Sequence, residues 1–325
     1  MHHALLIAKK QIGKLRLRLS KETTPTAIIM VDGGFCSVLL KYLIGRYIEC
    51  TYGIQVLYDL TWFQKNGLDC DGKFTRKFQL TQVLPDLKFP IATEQKIHFF
   101  KRFFYKRNAA PFVFNENLGE PHAYWDGYFA NWKYFEAIKD TALKELDVEK
   151  IQLNTVNRRA LDQIKSKKIS VAVHVRRGDF INSGLCILTA DYYLAAIQHI
   201  RERFAPCDIH LFVFSNGMEW TKEHILERMP QAVSYTTVEI NDNDHGYFDL
   251  RLIAECDHQI SSNSSFGYWG GLLNKNPDKI VIVPDKWMPD TYTSGNKKAL
   301  INSEHAHRVP GWTVFSTETY NPLGG

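Results

Sequence analysis

The sequence predicts an α/β protein made of two Rossmann-like halves, each with a parallel sheet, and three observations predict it. Near the start, a strand, a double-glycine turn, a helix and a second strand follow one another within residues 26–60. Beyond residue 160, apolar strand patterns alternate with helix patterns without a break. Three polar clusters fall at the carboxyl ends of predicted strands, where sheets of this kind hold ligands. A length of 325 residues is long for one core and suits two domains.

Residues 1–22 form a basic segment of their own. Lys9, Lys10, Lys14, Arg16, Arg18 and Lys21 occur before the first acidic residue, Glu22, and Leu5, Leu6, Ile12, Leu15 and Leu19 fall near helical spacing. A basic amphipathic helix lying on anionic lipid and a floppy terminus are both open readings. Thr26–Val31 reads as a strand, Gly33-Gly34 as a tight turn, "SVLLKYLIGRYIE" as a helix and "IQVLYDL" (54–60) as the next strand. Residues 61–120 are less regular. There "KIHFFKRFFYKRN" (96–108) reads as a half-buried helix with a solvated basic face, the alternative being contact with lipid head groups or an acceptor. "WDGYFANWKYFEAIKDTALKEL" (125–146) ends in a helix. The polar run 149–168 reads as helix and linker, which places the boundary near 160, with domains 23–160 and 161–325. Strand "ISVAVHV", helix "ADYYLAAIQHIRERF", strand "DIHLFVFS", helix "MEWTKEHILERM", strand "AVSYTTV", helix "GYFDLRLIAEC", strand "DHQISS", a helix opening at "NSSFGYWGGLL" and strand "KIVIVP" complete a doubly wound pattern.

Hydrophobic residues make up 45% and charged residues 23%, an ordinary globular balance, and aromatics reach 13%, a surplus that fills cores or lines pockets. A net charge of +5 is too weak and dispersed to indicate nucleic acid, and suits a polyanionic small ligand or an anionic membrane surface. The six cysteines make no C-x-x-C pair, so no zinc or redox motif is indicated; their even count permits disulfides, but in a chain this large without a signal peptide they read as reduced thiols of a cytosolic protein. No stretch approaches the length of a membrane-spanning helix.

The chemistry concentrates in the three clusters. Arg176 and Arg177 follow the strand ending at Val175, and two adjacent guanidinium forks suit a diphosphate; the alternative is a structural ion pair with Asp179. "SSNSSF" (261–266) places small hydroxyls at a helix start, where free N–H groups and the helix dipole favour an anion, or where a serine simply caps the helix. Ser215 and Asn216 follow a third strand and could pair with a base or ribose, or form an Asn-Gly turn. Asp69-Cys70-Asp71 and Asp242-Asn243-Asp244 are two short acidic pairs that could hold a divalent cation or be plain loop sequence. Arg177-Gly178-Asp179 also spells an adhesion tripeptide, but it follows a buried strand rather than occupying a loop tip.

These residues resemble the inverting α-1,2-fucosyltransferases of bacteria, glycosyltransferase family 11, and more distantly the α-1,6- and protein O-fucosyltransferases. "HVRRGDF" resembles the family's H-x-R-R-G-D-[YF] block, and "FDLRLIAECDHQISSNSSFGYWGGLL" its D-x-x-L-M…N-S-S-F-S-W-W block. "FVFSNGMEW", "GYFANWKYF" (127–135) and "VDGGFCSVLLKYLIGR" (31–46) are similar to further blocks, so that the likeness covers about residues 28 to 290. The resemblance implies a GT-B fold, two Rossmann-like domains facing across a cleft, with GDP-fucose held mainly by the carboxy-terminal one. It implies transfer of L-fucose from GDP-β-L-fucose to a galactose 2-hydroxyl, with inversion and with neither metal nor cofactor. By position, Arg176 would hold the β-phosphate with help from Arg177, His174 would support the nucleotide, and Ser264 and Ser265 the diphosphate. Ser215, Asn216 and Asn263 would complete the donor site, and Gly33, Gly34 and Phe35 would form an acceptor-side loop.

Three positions depart from the family pattern. Ser215-Asn216-Gly217 stands where the family has F-S-D-D, Cys36-Ser37-Val38 where it has G-N-Q, and Gly267-Tyr268-Trp269 where it has S-W-W. Asp179 is the nearest carboxylate for a general base, or else it orients Arg176. The expected partners are GDP-fucose and a galactose-terminated oligosaccharide, lipid-linked in one reading, with peripheral contact of residues 1–21 at the inner face of the cytoplasmic membrane. A glycosyltransferase using another nucleotide sugar, and a non-catalytic nucleotide- or glycan-binding protein, are the alternatives.

Overall fold

The structure, a computed structural model, describes residues 2–65, 67–68, 72, 74–185, 187–289 and 306–323. Asp69-Cys70-Asp71 and Cys186 lie outside the described residues. The chain divides into two compact units, with the main division after Glu145.

The first unit contains α1 (His2–Leu19), β1 (Thr26–Met30), α2 (Phe35–Tyr52), β2 (Gln55–Asp59), α3 (Thr61–Lys65), α4 (Leu80–Val83), α5 (Glu94–Phe103), β3 (Tyr105–Arg107), β4 (His122–Asp126), α6 (Trp132–Ala137) and α7 (Lys139–Glu145). Its sheet has the order β2-β1-β4-β3, with every pairing parallel. β1 is flanked on both edges and buried, which is why it reads as the unbroken apolar run "TAIIM". The basic segment is an integral helix of this unit. Leu17 of α1 packs with Ile28, Ile97, Phe100 and Phe103, and the α1 backbone at Gly13 lies against Phe103 and Phe104. Of the two readings open for it, the floppy terminus is corrected to a helix docked on α5.

The second unit contains α8 (Thr155–Lys165), β5 (Ser170–Val175), α9 (Gly178–Ser183), α10 (Ala190–Phe204), β6 (His210–Ser215), α11 (Met218–His224), β7 (Ser234–Thr237), α12 (Gly246–Glu255), β8 (His258–Ile260), α13 (Ser265–Leu273), β9 (Val281–Pro284) and β10 (Thr313–Phe315). Its sheet runs β10-β9-β8-β5-β6-β7, again parallel throughout. From β5 the chain winds outward through β6 and β7, then returns to the other side for β8, β9 and β10. The winding direction reverses between β5 and β8, and this switch point is where an open parallel sheet opens a crevice at its carboxyl edge.

The division lies before the expected position near 160. Of the helix and linker read there, residues 155–165 are the helix, the amphipathic α8, whose Ile164 packs with Ala172, Phe212, Leu252 and Ile253 of the second core. The polar composition read as a linker is the solvated face of that helix. Strands β3, β4 and β10 were not expected from the sequence. β3 and β10 are only three residues long, and β4 is rich in aromatics that also suit a helix.

Gly45 of α2 lies against the Tyr58 ring, so that an added Cβ would run into the phenol hydroxyl. Gly45→Ala is expected to lower the stability of the first unit by about 1–3 kcal/mol through overpacking, read as a lower urea midpoint at unchanged m-value.

Candidate functional site

The residues after β5 and β8 meet at the switch point. Val173 pairs with Ile260, so His174 to Asp179 and Ser261 to Ser265 leave adjacent strands side by side. β6 lies on the other edge of β5, with Val175 opposite Ser215, and brings Asn216 and Gly217 to the same edge.

Asp179 joins the first and third clusters. Its Oδ2 accepts from Arg176 Nη2 at 2.8 Å, and its Oδ1 accepts from Asn216 Nδ2 at 3.1 Å. Asn216 Oδ1 in turn accepts the Arg177 backbone N–H at 2.7 Å. Each carboxylate oxygen thus accepts one bond from the circuit, and Asp179 orients Arg176, one of the two roles open to it. Close packing requires the two glycines beside this circuit: a Cβ on Gly178 would meet the Asn216 amide at 2.5 Å, and one on Gly217 would meet Arg177 Cβ at 2.8 Å. Asn216, expected at a base or ribose, is committed to the circuit. Ser215 is likewise committed locally. Its Oγ accepts the Gly217 N–H at 3.0 Å and lies 2.9 Å from Thr221 Oγ1, whose own hydrogen goes to the Gly217 carbonyl.

The guanidiniums remain available. The Arg177 guanidinium carbon lies over Trp220, 3.8 Å from the ring centroid, and that of Arg176 lies over Phe180 at 5.5 Å. Nε of each arginine is buried and has no hydrogen-bond partner among the described residues. Two guanidinium groups with unspent donors at a sheet's carboxyl edge suit an anion. Trp220 went unnoticed as a site residue because an aromatic four residues beyond Asn216 reads as core.

The second cluster supplies the other wall. Ser264 is the N-cap of α13, its Oγ accepting from the Phe266 N–H at 3.3 Å, and Ser265 opens the helix half-buried. The helix dipole adds positive potential at this end. Asn263 does structural work: its Nδ2 donates to the Leu185 and Trp287 carbonyls, each at 3.0 Å. His174 is buried, stacked on Phe266, with Nδ1 2.9 Å from Ser262 Oγ. Burial first, and the Arg176 charge second, lower its pKa to about 3. Its ring is therefore neutral and contributes shape and hydrogen bonding rather than charge.

In the first unit, Gly33 takes φ +82°, Gly34 is the N-cap of α2 and Phe35 is its first residue. This turn is underpinned by a fully buried lysine. Lys41 Nζ donates to the Gly127 carbonyl at 2.6 Å, pairs with Asp32 at 3.1 Å and lies 4.7 Å from the Tyr128 ring centroid. Neither Lys41 nor Asp32 stood out in the sequence, where each is a single charge inside an apolar run. The acidic pair Asp242-Asn243-Asp244 forms a local turn: Asp242 Oδ1 accepts from the Asp244 and His245 N–H groups and contacts His245 Nδ1. Among the described residues no helix is long and apolar enough to cross a membrane.

The sequence model of "Glycosyl transferase family 11" matches residues 90–312, a stretch that contains the whole switch-point site. The chain belongs to glycosyl transferase family 11. Relatives include an Escherichia coli "Alpha-1,2-colitosyltransferase", 32% identical over 168 residues, which are 50% of this chain and 54% of that protein. Another is "Galactoside alpha-(1,2)-fucosyltransferase 1" of Saimiri sciureus, 27% identical over 172 residues, covering 48% and 44% of the two chains. The chain thus spans about half the length of the curated relatives it matches. Among solved structures, the fucosyltransferase NodZ from Bradyrhizobium aligns with a TM-score of 0.45 at 14% identity, covering 77% of this chain and 93% of that one. Gly33, Gly34 and Phe35 lie before the family match, whereas every residue of the arginine circuit lies inside it.

The depressed pKa of His174 carries a stability signature. Below about pH 6.5 the unfolded chain takes up a proton that the folded ring refuses until about pH 3. The contribution is therefore complete above 6.5 and falls as pH drops, by at most about 1.4 kcal/mol per pH unit. Urea unfolding between pH 7.5 and 4.5, pH values set about the ordinary histidine pKa, is expected to show a steeper loss for the wild type than for His174→Gln. Parallel curves would mean that the ring titrates normally.

Proposed function

We propose that the protein transfers L-fucose from GDP-β-L-fucose to the 2-hydroxyl of a galactose-containing glycan, with inversion and without a metal. The observation that carries this reading is the pair of buried, unpartnered guanidinium Nε groups at the switch point beside the N-terminus of α13. Cleavage of the sugar C1–O bond places growing negative charge on the leaving diphosphate. Cations already fixed by Asp179 and by the Trp220 face stabilise that charge with no reorganisation. In this reading Arg176 and Arg177 bind the diphosphate, the first N–H groups of α13 with Ser264 and Ser265 complete the cradle, and Asp179 and Asn216 position the arginines. His174 shapes the pocket as a neutral ring. The acceptor is a galactose-terminated oligosaccharide, built into a surface glycan from the cytoplasmic side, and Gly33, Gly34 and Phe35 belong to its loop.

A relative named for colitosyl transfer favours a second donor. The Ser215-Asn216-Gly217 departure points the same way, since no carboxylate stands there to read a guanine.

GDP release from GDP-fucose across a panel of galactosides, with EDTA present, is expected to show turnover that Arg176→Ala lowers by about 10²–10³. Retained activity in that variant refutes the clamp, and loss of wild-type turnover in EDTA refutes metal independence. A faster rate with a colitose-bearing nucleotide selects the second donor, and binding without turnover of any donor makes the protein a non-catalytic binder.

Asn216→Asp, which restores a family-like acid, is expected to lower turnover rather than raise it. The new carboxylate replaces the Nδ2 donor and repels Asp179 Oδ1 at 3.1 Å. A rise in turnover would show that position 216 contacts the donor and not Asp179.

A further inference from the structure

Helix α1 has two apolar faces, and the fold uses only one. At about 100° per residue, Gly13 and Leu17 share the side that packs on Phe103 and Phe104. Leu5, Ala8, Ile12, Leu15 and Leu19 fall at three- and four-residue spacing on the opposite side, in a stripe about 80° wide. All five are exposed, and the four large ones range from 47% to 76% accessible. Lys9 and Arg16 border the stripe on one side and Gln11 and Arg18 on the other, each exposed, and α1 contains no acidic residue.

We propose that this stripe is a docking surface for an anionic lipid bilayer, on which α1 lies flat. Charge complementarity selects that occupant. A second copy of α1 would bring cations against cations along both borders of the seam, and a neutral apolar partner would leave them unused. An anionic bilayer takes the leucines into the head-group boundary and pairs the flanking cations with lipid phosphates. The helix enters this role preorganised, because its other face is already fastened to α5. The surface depends on α1 alone and stands whether or not the donor assignment holds.

The test is flotation of the full chain with phosphatidylcholine vesicles, pure or with roughly a quarter phosphatidylglycerol. The wild type is expected to float with the anionic vesicles only, and less so at high salt. Two variants separate the components. Ile12→Ser with Leu15→Ser removes the middle of the stripe. Lys9→Gln with Arg18→Gln removes one flanking cation on each side, leaving Arg16, whose guanidinium packs over Phe103 at 5.4 Å. Each pair is expected to weaken partitioning by about tenfold or more, with unchanged circular dichroism and unchanged turnover of a water-soluble acceptor. Equal flotation with pure phosphatidylcholine, or of both variants, overturns the proposal. So does a concentration-dependent dimer in sedimentation that Ile12→Ser with Leu15→Ser abolishes while vesicles bind neither form, since the stripe is then a self-association seam.

Discussion

The switch-point site depends on one carboxylate. Asp179 takes Arg176 on one oxygen and Asn216 on the other, and Asn216 returns to the backbone of Arg177. Two neighbouring guanidiniums repel one another; the Asp179 carboxylate offsets the charge of Arg176 directly and reaches Arg177 only through Asn216 and the backbone. The glycines follow from this circuit, since Gly178 and Gly217 are the positions where the amide and the Arg177 stem leave no room for a Cβ. So does the stacking of Arg177 on Trp220, which fixes the second fork without using its hydrogen-bond donors.

Confining positive charge to arginine makes the cations of the site independent of histidine protonation. His174 sits between the arginine edge and α13, where an imidazolium would add a third cation. Burial against Phe266 and the Arg176 charge keep it neutral down to about pH 3. A guanidinium does not lose its proton in the working range, so the positive charge presented to an anion is fixed in amount. Partial burial strengthens its field, because water screens it less.

Much of this was legible in the sequence, and the remainder was not for identifiable reasons. Long apolar runs between glycine turns carry their own periodicity, so β1, α2, β5, α10 and β6 could be placed directly. The convergence of residues 174–179 with 261–265 followed from the rule that parallel strands present their carboxyl ends together. Pairing was not legible. Whether Asn216 faces a ligand or Asp179 depends on a contact across 37 positions of sequence, and no local pattern encodes it. The strands β3 and β10 are too short to carry a period. The boundary was misplaced because α8 shows water its charged face and commits only a thin stripe, around Ile164, to the core.

The two units use an ion pair at the same place, the turn from the first strand of each sheet into the helix after it, but with opposite polarity. After β5 both partners are partly accessible, Arg176 at 24% and Asp179 at 17%, and the unsatisfied donors belong to the arginines. After β1 the cation is the buried member: Lys41 is 0% accessible and Asp32 is 21%. Removing the lysine would leave Asp32 without its counter-charge and the Gly127 carbonyl without its donor. What reaches solvent at that turn is a carboxylate, with Tyr128 beside the lysine that holds it. A carboxylate keeps oxygen lone pairs that accept hydrogen bonds from hydroxyl groups even when it is paired with a lysine. The two turns therefore share a strand-to-helix geometry and differ in which member of the ion pair is buried.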